Sequence, residues 1–173
     1  MAFIKPYGGK TPKISRGVYL SENVYVIGDV EIGEDSSVWF GSVIRADVNF
    51  IRIGKKTNIQ DNSVIHVTSE KFPTLIGDKV TVGHGAIVHG CLLHNNILVG
   101  MGAVIMDGVE IEDFVLVGAG AVIPPGRKIP SGVLVTGVPA KIVRDLKIEE
   151  IKLIEESADN YVRYKNEYLK ISS

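Results

Sequence analysis

The sequence predicts an all-β chain, a parallel β-helix of short strands closed by one C-terminal α-helix. Three observations predict it: an apolar residue every six positions, 19 glycines against only 7% aromatic residues, and a switch to helical spacing near residue 145. Backward from Val135 the six-residue step meets Ile129, Ile123, Val117, Ile111, Ile105, Val99 and Leu93. Ile, Leu and Val make up 54 of the 173 residues, so eight in a row by chance is on the order of one in ten thousand.

The same step runs through Ile14, Leu20, Val26, Ile32, Val38, Ile44 and Phe50, and two shorter blocks follow, Ile53–Ile59–Ile65 and Ile76–Val82–Val88. Small or β-branched residues stand four places after the key positions, as at Ser36, Ser42, Ala86, Ala103 and Ala121. Period six fits neither a helix nor the period-two alternation of a sandwich. It fits a prism with one inward side chain per face and three faces per coil, the coils stacked about 4.7–4.9 Å apart. The 21 key positions make about seven coils over residues 1–140. Prisms of this type resemble the left-handed hexapeptide-repeat family, and the left hand is taken from that resemblance. Flat faces pack in a ring, so a homotrimer is expected.

Residues 145–170 place Ile148, Ile151, Ile154, Ala158, Tyr161 and Tyr168 on one helical face, with Asp145 as N-cap and Glu149 and Glu150 near the first turn. Such a stripe must be buried on its own prism or on a neighbour.

Composition narrows the functions. An apolar content of 45% argues against disorder, and no apolar run approaches the roughly 18 residues of a membrane helix. Nineteen basic against 20 acidic residues give a net charge of −1, so nothing steers the chain toward nucleic acid or an anionic membrane. One cysteine, Cys91, excludes an internal disulfide framework, and it reads as a small packing residue. Met1–Lys10 lacks the apolar core of a secretory signal, so the cytoplasm is the expected compartment. There is no Walker loop, and Gly118-Ala119-Gly120 is a repeat corner.

The breaks in the period locate the chemistry. With Ile65 on face a, the segment after it holds a five-residue insertion before Ile76 on face b, Val82 on face c and Val88 on face a again. His66 and His89 then share one offset on one face, a coil apart, and Arg45 falls below them if the three extra residues around Phe50 form a loop. Face c carries a second column in which His84 stands one coil above Asp61, with Gln60 beside it. In a three-fold ring, face a of one subunit approaches face c of the next, so two histidines of one chain and a third of its neighbour converge. Any one of these histidines alone would read as a turn residue. Three imidazoles with an open fourth position are what a catalytic zinc site needs. His94 follows Leu93 on face b and reads as a turn or surface residue.

Arg45-x-Asp47, Gln60-Asp61-x4-His66 and Gly83-His84-x4-His89-Gly90 resemble the gamma-class carbonic anhydrases, and the likeness extends to Gly137–Lys141 (GVPAK) and the last helix. The resemblance implies a zinc lyase that interconverts carbon dioxide and bicarbonate. Its metal, zinc with iron or cobalt as alternatives, would be held by His66, His84 and His89 between subunits. It further implies that Arg45 and Asp47 form intersubunit salt bridges and that Gln60, beside Asp61, hydrogen-bonds the metal-bound hydroxide or bicarbonate. Tyr161 aligns with a tyrosine that reaches the site in some relatives, and packing within the helix stripe explains it equally well. The archetypal members carry two acids near the metal for proton transfer. Here one position is Val48, and the loop after His66 offers only Glu70. Two other functions share the fold: a metal-binding trimer with little or no hydratase activity, and a hexapeptide acyltransferase, which needs only one histidine as general base.

Overall fold

The computed structural model describes residues 1–171. It is a parallel β-solenoid of about seven coils with one C-terminal helix. The ladder on face a runs Ile4, Val26, Ile44, Ile65, Val88, Ile105 and Ile123, each paired directly with the next. Equivalent ladders run from Ile14 to Ile129 on face b and from Leu20 to Val135 on face c. From Val26 to Ile123 every member of the face a ladder is buried, because an inward residue is surrounded by those above, below and on the other two faces. Ser36, Ser42, Ala86, Ala103 and Ala121 are also buried, where the chain turns between faces and only a small side chain fits.

Phe50 is not an inward residue. Gly28 pairs with Ala46 and Val30 with Ile51, so Asp47, Val48, Asn49 and Phe50 stand against Asp29 alone as a bulge inside the strand Val43–Ile53. Phe50 is 36% exposed, with the Arg52 guanidinium 4.8 Å from its ring centre. A phenyl ring is too wide for a slot shaped by branched aliphatic residues, and Ile4 takes the remaining place on face a. The insertion after His66 is a small loop closed by pairing of Thr68 with Phe72, with Glu70 left-handed at its tip.

The helix α1 spans Ile148–Ile171. Asp145 does not cap it, because Asp145 still pairs with Val133 at the end of the strand Ala140–Asp145. Glu150 reaches back instead, accepting the Lys147 N–H at 2.8 Å and both terminal nitrogens of Arg144 at 2.8 and 2.7 Å. The helix lies on face c of its own prism. Ile154, Ala158 and the stem of Lys165 are buried there, and Tyr161 and Tyr168 meet Trp39 edge-on at 5.4 and 5.1 Å. Ile148, at the first helical residue, is 62% exposed and lies outside this stripe. The Lys165 amine donates to Asp35 at 2.9 Å and to Asn166 at 2.8 Å. Among the described residues no helix is long and apolar enough to cross a membrane.

Candidate functional site

The strands Val64–His66 and Ile87–His89 pair in parallel with His89 opposite His66. Pairing of Ile44 with Ile65 sets Arg45 in the same column. Parallel register holds the imidazoles with ring centres 5.0 Å apart and His66 Nδ1 facing His89 Nε2 at 3.0 Å. The outer nitrogens meet carboxylates: His66 Nε2 lies 3.1 Å from Asp47 Oδ1, and His89 Nδ1 lies 2.5 Å from Asp107 Oδ1. Arg45 forms an ion pair with the other oxygen of Asp47. The resemblance implies partners across subunits for these two, whereas within the single chain they pair with each other.

The electrostatics keep the carboxylates charged. Burial works to raise Asp47, but hydrogen bonds from His66 and Arg45 outweigh it, and its carboxyl sits below the ordinary value. Asp107 is lowered too, the hydrogen bonds from Thr68 and His89 overcoming burial. His66 is lowered chiefly by burial, with Arg45 and His89 assisting against the pull of Asp47, which favours its neutral form at neutral pH.

This donor set fits a divalent metal. With their outer N–H groups donated to Asp47 and Asp107, the rings can turn the lone pairs of the facing nitrogens, 3.0 Å apart, toward a cation. Two ligands at the 2.0–2.1 Å of tetrahedral zinc stand roughly 3.3–3.4 Å apart, so the pair needs to open by only about 0.3–0.4 Å.

The remaining candidates gather on the other side of the prism. His84 Nδ1 lies 2.8 Å from Asp61 Oδ2, and Gln60 is buried beside them with its amide donating to Asn58 at 3.1 Å. The Tyr161 hydroxyl is pushed up to about 12 by burial, then by the Asp61 charge and Tyr164, so it stays protonated over this group. The sequence candidates thus divide into two clusters. Arg45, Asp47, His66 and His89 form one, and Gln60, Asp61, His84 and Tyr161 the other. One chain does not bring His84 to the other two histidines.

Sequence reasoning missed Asp107 and Thr68. The available signal was that Asp107-Gly108 follows Ile105 at the corner one coil above His89-Gly90. His94 stays on face b, its Nε2 3.5 Å from Glu110 Oε1. With Glu112 it forms a group whose donor atoms lie within 4.8 Å of one another, but Glu110 is already paired with Lys128 at 2.8 Å. Burial pushes the Cys91 thiol up, which leaves it protonated and inert.

Repeat and solenoid together define a hexapeptide-repeat protein, and residues 11–46 match the family model described as bacterial transferase hexapeptide (six repeats). A carbonic anhydrase of Geobacillus kaustophilus is 50% identical over 167 residues, which cover 96% of this chain and 91% of the relative. Mitochondrial gamma carbonic anhydrase 2 of Arabidopsis thaliana is 47% identical over 158 residues, or 88% of this chain, and the match spans only 57% of that longer protein. A solved hexapeptide transferase family protein from Anaplasma phagocytophilum superposes with a TM-score of 0.92 at 40% identity, covering 96% of this chain and 98% of that one. The chain belongs to the gamma-class carbonic anhydrase family.

Proposed function

We propose that the protein catalyses reversible hydration of carbon dioxide to bicarbonate at a metal site completed between subunits of a homotrimer. The observation that carries this reading is the His66–His89 pair, whose inner nitrogens face each other at 3.0 Å while carboxylates hold the outer ones. His66 and His89 of one chain and His84 of the next would hold zinc, with iron or cobalt as alternatives. When bound, the ion supplies hydroxide at neutral pH by lowering the pKa of coordinated water to about 7.

The chain's own groups do the rest. Asp47 would fix the His66 imidazole, and Asp61 would do the same for His84, 2.8 Å away. The Gln60 amide and the protonated Tyr161 hydroxyl lie in the same cluster as His84, where they would orient substrate oxygens. Assembly is supported by the outer surface of face a, where Val64 and Ile87 are 37% and 39% exposed beside the histidines, an apolar strip that suits a second copy.

Proton removal is the weak link. Val48 cannot carry a proton, and Glu70 stands alone at the tip of its loop. This favours slow turnover limited by buffer, and it keeps the metal-binding trimer without hydratase activity as the second reading. A hexapeptide acyltransferase needs only one histidine as general base, so absence of metal would point to that function and away from both.

Stopped-flow carbon dioxide hydration on protein of measured metal content, before and after loading with zinc or anaerobically with ferrous iron, tests the reading. Metal-dependent activity that disappears in His89→Ala supports it. Full metal content without activity moves the function to the metal-binding trimer.

A further inference from the structure

We propose that Asp107 is the positioning residue for His89: by accepting the Nδ1–H it holds the ring in the tautomer and orientation that present the Nε2 lone pair toward His66. The inference rests on the metal reading above for its purpose, but its geometry stands in the metal-free chain. Asp107 Oδ1 lies 2.5 Å from His89 Nδ1, and Asp107 Oδ2 accepts the Thr68 hydroxyl at 2.6 Å. Both carboxylate oxygens are therefore engaged, and the group cannot rotate without breaking one bond.

Thr68 is itself braced. The Asn49 amide donates to its carbonyl at 3.0 Å, and its N–H donates to Phe72 O at 2.9 Å. The chain Asn49–Thr68–Asp107–His89 uses two of the departures from the six-residue period. Asn49 comes from the bulge in the strand Val43–Ile53, and Thr68 opens the insertion after His66. The space around this brace is closed. Gly90 is left-handed at φ 57°, and a Cβ there would stand 2.5 Å from Asp107 Oδ1 and 2.9 Å from Phe72 Cβ. A corner that tight keeps Asp107 on His89.

Removing the carboxylate frees the proton to move. His89 Nδ1 then has no acceptor, while Nε2 lies 3.0 Å from His66 Nδ1 and can donate to it. That bond places a hydrogen where the lone pair must be, so the ring is turned from a ligand into a donor. A carboxylate needed only for corner stability would leave the tautomer unchanged, which makes the tautomer the decisive readout.

The test uses the full chain labelled with [15N]histidine, metal-free at pH 8, as wild type and as Asp107→Leu, Asp107→Asn and Thr68→Val. Long-range 1H–15N spectra read the His89 tautomer, and zinc affinity is read by competition with a chelator. The wild type is expected to show Nδ1–H. Asp107→Asn should keep that tautomer, since its carbonyl still accepts and its amide can donate to Thr68. Asp107→Leu should move the proton to Nε2 and weaken zinc binding by roughly 10–100-fold. Thr68→Val keeps the β-branched shape and should weaken zinc binding by about fivefold, which decides the matter if the leucine variant does not fold.

Asp107→Leu with wild-type tautomer and wild-type zinc affinity overturns the proposal, as does an unchanged affinity in Thr68→Val should the leucine variant fail to fold. The metal reading fails separately: a wild type that takes up no zinc, yet still switches tautomer in Asp107→Leu, loses its metal and keeps its positioning residue. A wild type whose zinc is lost in His89→Ala but untouched in Asp107→Leu keeps the metal and loses Asp107.

Discussion

Replacing His89 by alanine, beside His94 by alanine as its matched control, tests the register that places one histidine in the site and the other outside it. The two side chains are five residues apart and both follow an inward aliphatic residue, Val88 or Leu93. The fold separates them onto faces a and b. Removing His89 leaves Asp107 with Thr68 alone and leaves His66 Nδ1 facing a void. Structural zinc held by four ligands is worth about 10–16 kcal/mol, or roughly 2.5–4 kcal/mol per ligand, so loss of one should weaken zinc about 10²–10³-fold. His94 has a 3.5 Å contact to Glu110, which keeps Lys128 at 2.8 Å after the change. His94→Ala should therefore leave zinc affinity alone and alter stability by less than about 0.5 kcal/mol. Competition with a chromophoric chelator measures both affinities, and urea unfolding checks that each variant is folded. Zinc lost in His94→Ala but retained in His89→Ala would refute the assignment of faces and with it the site.

Arg45→Ala should weaken the homotrimer, seen by sedimentation velocity as dissociation at low concentration; an unchanged profile counts against a role for Arg45 between subunits. Ile65→Ala removes a fully buried side chain from the ladder beneath His66 and should cost about 2–5 kcal/mol, read as a lower urea midpoint at unchanged slope. Glu150 is held at about 2 by the Arg144 guanidinium and the Lys147 N–H. Its folded value is depressed, so its stabilisation is complete above the ordinary carboxylate range and is lost as pH falls from about 4.5 toward 2. Thermal unfolding of Glu150→Gln should show a smaller drop than wild type across that window, and an identical drop would mean that other carboxylates govern it.

The six-residue period made the solenoid legible because an inward slot between stacked coils accepts little beyond Ile, Leu and Val. The same arithmetic failed where the chain keeps its register by bulging. Counting in sixes runs through Phe50, while the backbone pairs Val30 with Ile51 and expels the ring. His66 and His89 were legible because two parallel strands fix equal offsets side by side. Asp107 was not, for a physical reason. Leu93 follows Val88 by five positions instead of six, and equal offset puts Met106, not Asp107, above His89. The carboxylate reaches back from one position further on, so its trace is the Asp107-Gly108 corner one coil above His89-Gly90 and not the equal-offset column. The helix start was hidden similarly, since pairing of Asp145 with Val133 draws a good capping residue into a strand and leaves Glu150 to close the helix.

The division of the candidate residues into two clusters follows from the prism itself. A six-residue face turns adjacent corners far apart in direction, so residues on face a cannot meet residues on the outer side of face c within one chain. His66 and His89 are adjacent because they occupy one face on successive coils, and His84 is separated from them because it occupies another. A solenoid can therefore supply a two-ligand edge with fixed spacing, but not a converging three-ligand cage. On the proposed function, the third ligand comes from a second prism. Metal affinity and assembly would then be one linked equilibrium: each interface formed would supply the missing histidine, and each metal held there would stabilise the interface by the same free energy. Zinc should accordingly sharpen the concentration dependence of assembly in the wild type and leave it unchanged in His84→Ala.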